Sequence, residues 1–222
     1  MRVLWRGSAA LIVLTGVIAC SSPPRTAEPS GSSVSQSGAP VPPHRSPPTT
    51  SHSVASFNKV LHDELIGMFE RDQAALKGLP QADTPEQRTA RLKEIVQEHG
   101  WPTFDLVGKD GENAAWLIAQ HSDLDLAFQQ EALELLRAAV ADGQVSPGNL
   151  AYLEDRVAVA KGDPQTYGTQ TRCGADGPVP ATPIRDEAGV DERRAASGLQ
   201  PLADYLSEMA AICAESDEQP LD

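Results

Sequence analysis

The sequence predicts a mainly α protein, in which a single multi-helix domain covers residues 55–222. Apolar side chains recur at intervals of three and four residues in successive segments, which is the period of an amphipathic helix. Gly and Pro separate these segments, and none of them shows the strict apolar–polar alternation that is typical of a half-buried strand. A chain of this length is enough for one domain with one hydrophobic core.

The first two helices are predicted from their apolar stripes and from the residues at their ends. The first covers residues 55–77, and a glycine and a proline soon afterwards end it. The second begins at Thr84, which can cap the helix, while Pro85 suits the first turn and Gln87 completes a capping box. Gly100 then supplies a left-handed stop.

Three further helices are predicted in the middle of the chain. The third runs from about Glu112 to His121, and the fourth follows it to about Ala141, where an Asp–Gly pair stops it. Ser146-Pro147 starts the fifth helix, with the serine as cap and the proline in the first turn. Gly162 ends this helix.

The C-terminal part is predicted to combine an irregular loop with two helices. Residues 171–189 are rich in Gly and Pro and lack periodicity, so we expect an ordered but irregular loop after the fifth helix. A short helix opens at Asp191, and a last one follows Pro201. The acidic tail from about Ala214 is expected to fray.

The N-terminal residues predict a lipid-anchored protein. Residues 1–19 have a basic start and a short apolar run, as in a secretory signal peptide. Val17-Ile18-Ala19-Cys20 is similar to a bacterial lipobox, so we expect Cys20 to be lipidated, with palmitate among its acyl groups. The alternative is an ordinary cleaved signal with an incidental cysteine. The Ser- and Pro-rich segment of residues 20–54 predicts a disordered tether.

These features predict a location at the extracytoplasmic face of the cell membrane. The formal net charge of −13 becomes −15 when residues 1–19 are removed, because this segment contains two arginines and no acid. Such an acidic chain is a poor match for phosphate backbones, so nucleic acid is excluded as a partner. The expected partners are the membrane, through Cys20, and a small ligand or a protein of the cell envelope.

Two cysteines remain once Cys20 is assigned to lipidation. In an oxidising compartment, Cys173 and Cys213 could form a disulfide that closes a loop of about forty residues. The alternative is two separate buried thiols.

Four polar motifs follow one another along the chain. They are His99-Gly100-Trp101-Pro102, Gln120-His121-Ser122-Asp123, Asp155-Arg156 and Tyr167-Gly168-Thr169-Gln170. Taken in this order, they resemble a bacterial domain family of unknown function with HGWP, QHxD, DR and YGTQ motifs. The resemblance extends over roughly residues 94–205 and implies a common fold and a shared polar cluster. It implies no activity.

The motif residues are candidates for a ligand site. His99 and His121 continue the apolar stripes of two successive helices in their last turns, so both are expected to face inward. Aromatic rings and oriented polar groups together suit a sugar, a peptide or a small anion. The candidate ligand-binding residues are His99, Trp101, His121, Arg156, Gln165, Tyr167 and Gln170.

Three hypotheses about function follow from this cluster. The first is recognition of a small envelope-associated ligand or partner. The second is a hydrolase-like enzyme with His121 as base and Asp123 as its orienting partner. The third is a structural or scaffold lipoprotein, in which the same residues form a buried network. The spacing matches no known metal signature, so no metal and no cofactor are predicted.

Overall fold

Helices dominate the part of the chain that this computed structural model describes, which is residues 56–217, with side chains up to residue 214. The seven helices found there are α1 (Lys59–Leu76), α2 (Pro85–His99), α3 (Phe104–Gln120), α4 (Leu126–Ala141), α5 (Pro147–Lys161), α6 (Val190–Ala196) and α7 (Leu202–Asp217). The prediction of a mainly α single domain is confirmed. The predicted signal peptide, Cys20 and the tether lie outside the described residues. Among residues 56–217, no helix is long and apolar enough to span a membrane.

Helix α3 lies at the centre of the fold and contacts α1, α2, α4 and α5. From Gly111 to Gln120 all but one of its residues are buried, which explains why this helix is apolar on more than one side. Burial of this apolar surface is the main favourable contribution to folding. The core is completed from the neighbouring helices by Leu61, Leu65, Met68, Leu92, Ile95, Phe128, Leu136 and Leu153.

Helix ends follow the capping signals in the sequence. Thr84 and Gln87 form the reciprocal hydrogen bonds of a capping box, and Pro85 occupies the first turn of α2. Ser146 caps α5 by accepting from the backbone N–H of Asn149, and Gly162 ends this helix in the left-handed conformation.

Helix α3 begins earlier than predicted. It starts at Phe104, and Gly108 interrupts it with φ 76° and ψ 171°, which are not helical values. Gly108 therefore separates a short helical segment that starts at Phe104 from the buried helix that the sequence predicts. Glycine adopts this positive φ without the steric cost that a side chain would bring.

The prediction of an irregular loop for residues 171–189 is partly wrong, because this segment contains a β-hairpin. Strand β1 (Thr171–Gly174) pairs antiparallel with β2 (Gly177–Pro180), and a 3₁₀-helix (Glu187–Gly189) precedes α6. Strands of four residues are too short for a visible alternation. They are held from outside, because α7 packs on both strands and a disulfide joins Cys173 to Cys213. Helix α7 also continues to Asp217, past the expected start of the frayed tail.

Glu112 is a carboxyl group enclosed by the core, between α3 and the start of α5. It has no exposed surface, and the side-chain amide of Asn149 donates to its Oε2 at 3.0 Å. Glu112 Oε1 and the indole Nε1 of Trp101 have no partner in good hydrogen-bonding geometry. Burial raises the pKa of Glu112 to about 7, although the nearby Trp101 indole, the Asn149 amide and the Ser146 backbone N–H each lower it.

This carboxyl should make stability depend on pH. Because its pKa in the folded protein is about 7 and the ordinary value is 4.5, the folded state alone holds the proton between these values. The protonated Glu112 therefore makes its full contribution to the stability of the folded state below pH 4.5, and this contribution is lost as the pH rises to 7. We expect the free energy of unfolding to fall by about 3 kcal/mol relative to Glu112→Gln between pH 4.5 and 8. Urea denaturation across this range measures the difference.

The matched control is Glu98→Gln, because Glu98 is an exposed glutamate on α2. The free energy of unfolding of the Glu98→Gln variant should change with pH in the same way as that of the parent protein. A constant difference between the parent and Glu112→Gln from pH 4.5 to 8 would contradict the prediction.

Candidate functional site

The buried carboxylate of Asp155, on α5, organises the loop that follows this helix. It accepts hydrogen bonds from the backbone N–H groups of Thr166 at 2.7 Å, Tyr167 at 3.2 Å and Thr169 at 2.9 Å. The Thr169 hydroxyl adds a further bond at 3.0 Å. Burial raises the pKa of Asp155, and these donors oppose that shift. We call residues 165–170 the 165–170 loop.

Gln165 and Gln170 use their amide groups inside this loop. The side-chain amide Nε2 of Gln165 donates to the carbonyl oxygens of Gln170 at 3.0 Å and Thr182 at 3.1 Å, and its Oε1 accepts from the backbone N–H of Gln170 at 2.8 Å. Gln170 Oε1 accepts from Arg156 at 3.1 Å, and its Nε2 donates to the Thr169 hydroxyl at 3.1 Å. Both side chains are buried, so neither amide is available to a ligand.

Arg194, on α6, binds the other side of the 165–170 loop. Only 1% of it is exposed. It donates to the carbonyl oxygen of Tyr167 at 2.8 Å and stacks on the Tyr205 ring at 5.0 Å. The Tyr205 hydroxyl in turn donates to the carbonyl oxygen of Thr169 at 2.7 Å. Helices α6 and α7 are thus attached to the domain through this loop.

Asp123 forms an ion pair with Arg156 and does not contact His121. The guanidinium of Arg156 donates to both carboxylate oxygens of Asp123, at 2.9 and 2.8 Å, and also to the carbonyl oxygen of Gln120 at 3.2 Å. The expected pairing of His121 with Asp123 is therefore absent from the structure.

The partner of His121 is Asp72, on α1. His121 Nδ1 lies 2.6 Å from Asp72 Oδ2, and Asp72 is 4% exposed. Arg88, itself buried, approaches the other Asp72 oxygen at 3.4 Å and bonds Asp83 at 2.6 Å. Asp72 lies 49 residues before His121, so no local motif points to it. The available signal is a carboxylate on the buried stripe of α1, one turn after Met68.

A cavity of about 260 Å³ opens beside His121, between the N-terminal half of α2 and residues 121–125, which connect α3 to α4. It is lined by Pro85, Glu86, Thr89, Ala90, Lys93, His121, Ser122, Leu124 and Asp125. Lys93 and Asp125 form an ion pair at 2.7 Å across one wall. Thr89 and Ser122 bond each other at 2.8 Å, and Ser122 also donates to the carbonyl oxygen of Ile118. We call this space the His121 cavity.

The remaining candidates lie apart from the His121 cavity. His99 is exposed and its expected inward position is wrong, because the chain turns at Gly100 and Trp101 is the side chain that enters the core. Trp101 is 5% exposed and offers no stacking surface to a ligand. Tyr167 is half-buried, and its hydroxyl makes no hydrogen bond to another described residue. Residues 56–217 contain no group of three His, Cys, Asp or Glu side chains that could hold a metal ion.

The Asp155 network predicts a large loss of stability on substitution. Asp155→Ala should lower the free energy of unfolding by about 3–5 kcal/mol, because three buried or half-buried backbone N–H groups and the Thr169 hydroxyl lose their acceptor. Urea denaturation measures this loss. Asp123→Ala is the matched control, since its carboxylate is half-exposed and should contribute about 1 kcal/mol or less. Equal losses in the two variants would contradict the prediction.

Comparison with known proteins relates the chain to a family. No curated protein and no solved structure matches it. One family model, described as a family of unknown function (DUF6624), matches residues 60–213. The matched segment extends from the first turn of α1 to Cys213, so it includes the His121 cavity, the 165–170 loop and the hairpin. The chain belongs to this family of unknown function, DUF6624.

Proposed function

We propose that this protein is a lipid-anchored, extracytoplasmic module that recognises a small envelope-associated ligand in the His121 cavity. The observation behind this proposal is a histidine on the cavity wall that a buried carboxylate holds in one orientation. A fixed ring with one nitrogen left over is a directional hydrogen-bonding group. A few such polar groups on a partly apolar wall are typical of small-molecule sites.

The 165–170 loop is a weaker candidate than the His121 cavity. A ligand site needs polar atoms with unused hydrogen-bonding capacity, whereas the amides of Gln165 and Gln170 bond other protein groups. These residues fit the hypothesis of a buried structural network. Of the seven candidate ligand-binding residues, the proposal therefore retains His121 and adds Asp72 as its positioning partner.

The proposed location rests on the sequence of residues 1–54. The lipobox-like segment ends at Cys20, and the Ser- and Pro-rich segment would place the domain away from the membrane surface. The disulfide between Cys173 and Cys213 is consistent with an oxidising compartment outside the cytoplasm.

A hydrolase-like activity is the second candidate, and the His121–Asp72 pair favours it. A carboxylate that orients a histidine is the arrangement of a general base. Ser122 is not a suitable nucleophile, because it is 2% exposed and donates its proton to Ile118. Water would therefore be the attacking group, and His121 would accept its proton. Turnover of a bound compound distinguishes this candidate from binding alone.

Ligand recognition predicts stabilisation that depends on His121. The thermal unfolding temperature of residues 55–222 should be measured in the presence of metals, muropeptide fragments, sugars and small anions and cations. A ligand at about 100 times its Kd should add about 2.7 kcal/mol to the free energy of unfolding of the parent protein. His121→Ala should lose this gain, whereas the exposed His99→Ala should retain it. A stabilising compound that acts equally on both variants would contradict the proposed site.

Lipid anchoring predicts that the full chain enters the membrane fraction through Cys20. The full chain and Cys20→Ser should be expressed in a bacterial host with labelled palmitate and separated by detergent phase partition. The parent should take up label and enter the detergent phase, because acyl chains supply the apolar surface. Cys20→Ser should remain unlabelled and aqueous, and label on this variant would contradict the prediction.

A further inference from the structure

We infer that the His121 cavity takes a ligand with a primary ammonium group next to an apolar substituent. This inference rests on the proposed function, since it names the chemical class of the ligand at that same site. It follows from which hydrogen-bonding atoms of the cavity are engaged by the protein and which are free.

His121 presents a hydrogen-bond acceptor. A carboxylate only accepts hydrogen bonds, so the 2.6 Å contact with Asp72 requires a proton on His121 Nδ1. In the neutral ring Nε2 then has a free lone pair, and it makes no hydrogen bond to another described residue. Arg88 holds the Asp72 carboxylate in turn, which restricts rotation of the ring. The ligand must therefore supply an N–H or O–H donor.

The hydroxyl donors on the cavity wall bond protein acceptors, and the ammonium group of Lys93 is paired with a carboxylate. Lys93 is held by Asp125 at 2.7 Å. The Thr89 hydroxyl has one proton, and its acceptors are the Ser122 hydroxyl at 2.8 Å and the carbonyl oxygen of Pro85 at 3.0 Å. Ser122 donates to the carbonyl oxygen of Ile118. Lys93 keeps further N–H bonds, but Asp125 offsets its charge and Glu86 leaves the wall with a net negative charge, so carboxylates and phosphates are poor matches for the cavity.

Glu86 supplies the negative charge that favours a cation. It lies on the cavity wall, is exposed and forms no ion pair with a described residue. Its own backbone N–H and the Thr84 side chain lower the pKa of Glu86, so its carboxylate is charged at neutral pH. Glu86 and His121 both line the cavity, and an ammonium group has three N–H bonds, so it suits a wall with more than one acceptor.

Leu124 supplies the apolar part of the site. It is 84% exposed at the rim of the cavity, and the methyl group of Ala90 lies on the wall. A single exposed leucine is ordinary in a folded protein. Beside the His121 acceptor and the Glu86 carboxylate, however, it provides apolar surface for the substituent next to the ammonium group. The N-terminus of a peptide with an apolar first residue has this chemistry.

Three leucine derivatives test the inference, because they share a side chain and differ in charge. L-leucinamide has the ammonium group, N-acetyl-L-leucinamide has no charge, and N-acetyl-L-leucine has a carboxylate. Backbone amide shifts of the folded domain should be followed by NMR during titration with each. Only L-leucinamide should shift the amides of residues 86–90 and 121–125, with a Kd on the order of 1 mM for so small a compound.

Two variants and two matched controls locate the binding. His121→Ala and Glu86→Gln should each weaken L-leucinamide binding by about tenfold or more, because each removes one hydrogen bond to a charged group. His99→Ala and Glu98→Gln are exposed substitutions at the other end of α2 and should leave the Kd unchanged. Glu86→Gln keeps the test decisive if His121→Ala does not fold. Imidazole ¹⁵N spectra should show the Nδ1 proton of His121 that the contact with Asp72 requires.

Each other outcome overturns the inference. If N-acetyl-L-leucine binds and requires His121, the cavity is an anion site, and the proposed function stands without this ligand class. If none of the three binds at about 50 times the expected Kd while another compound stabilises the domain through His121, only the inference fails. If no compound of either set binds, both fail. A proton on Nε2 instead of Nδ1 also overturns the inference.

Discussion

The buried carboxylate of Asp155 is the interaction on which the C-terminal part of the domain depends. The 165–170 loop belongs to no helix or sheet, so its backbone N–H groups need acceptors from elsewhere. Asp155 provides acceptors for three of them. The loop, once fixed, offers its own carbonyl oxygens to Arg194 and Tyr205, and so positions α6 and α7. One charged side chain on a rigid helix thereby orders several elements that lack a large core of their own.

The end of α3 joins this network to the His121 cavity. The carbonyl oxygen of Gln120 accepts a hydrogen bond from Arg156, which also bonds Gln170 in the 165–170 loop. The ring of the next residue, His121, bonds Asp72 on α1. Two adjacent residues therefore belong to two different polar networks. The central position of α3 in the core gives both of them a common and rigid support.

The helices could be predicted from the sequence because their determinants are local. The apolar period, the Thr84 capping box and the stop at Gly162 each act within a few residues. Contacts between distant residues could not be predicted in this way. The hairpin depends on packing against α7, and His121 pairs with Asp72, which lies 49 residues away along the chain. Helical spacing also predicts that His99 faces inward. His99 is the last residue of α2, and its side chain is exposed.

Polar motifs in a sequence do not by themselves distinguish a ligand site from a structural network, because both need the same residue types. What separates them is unused hydrogen-bonding capacity, and this appears only when partners are assigned. Asp155 and Gln165 are fully buried and bond the protein's own backbone, so their chemistry is directed inward. His121 has one nitrogen engaged by Asp72 and one left over beside a cavity. The residue with a free atom at an accessible surface is therefore the better candidate for function, even where the motif around the buried residues is more distinctive.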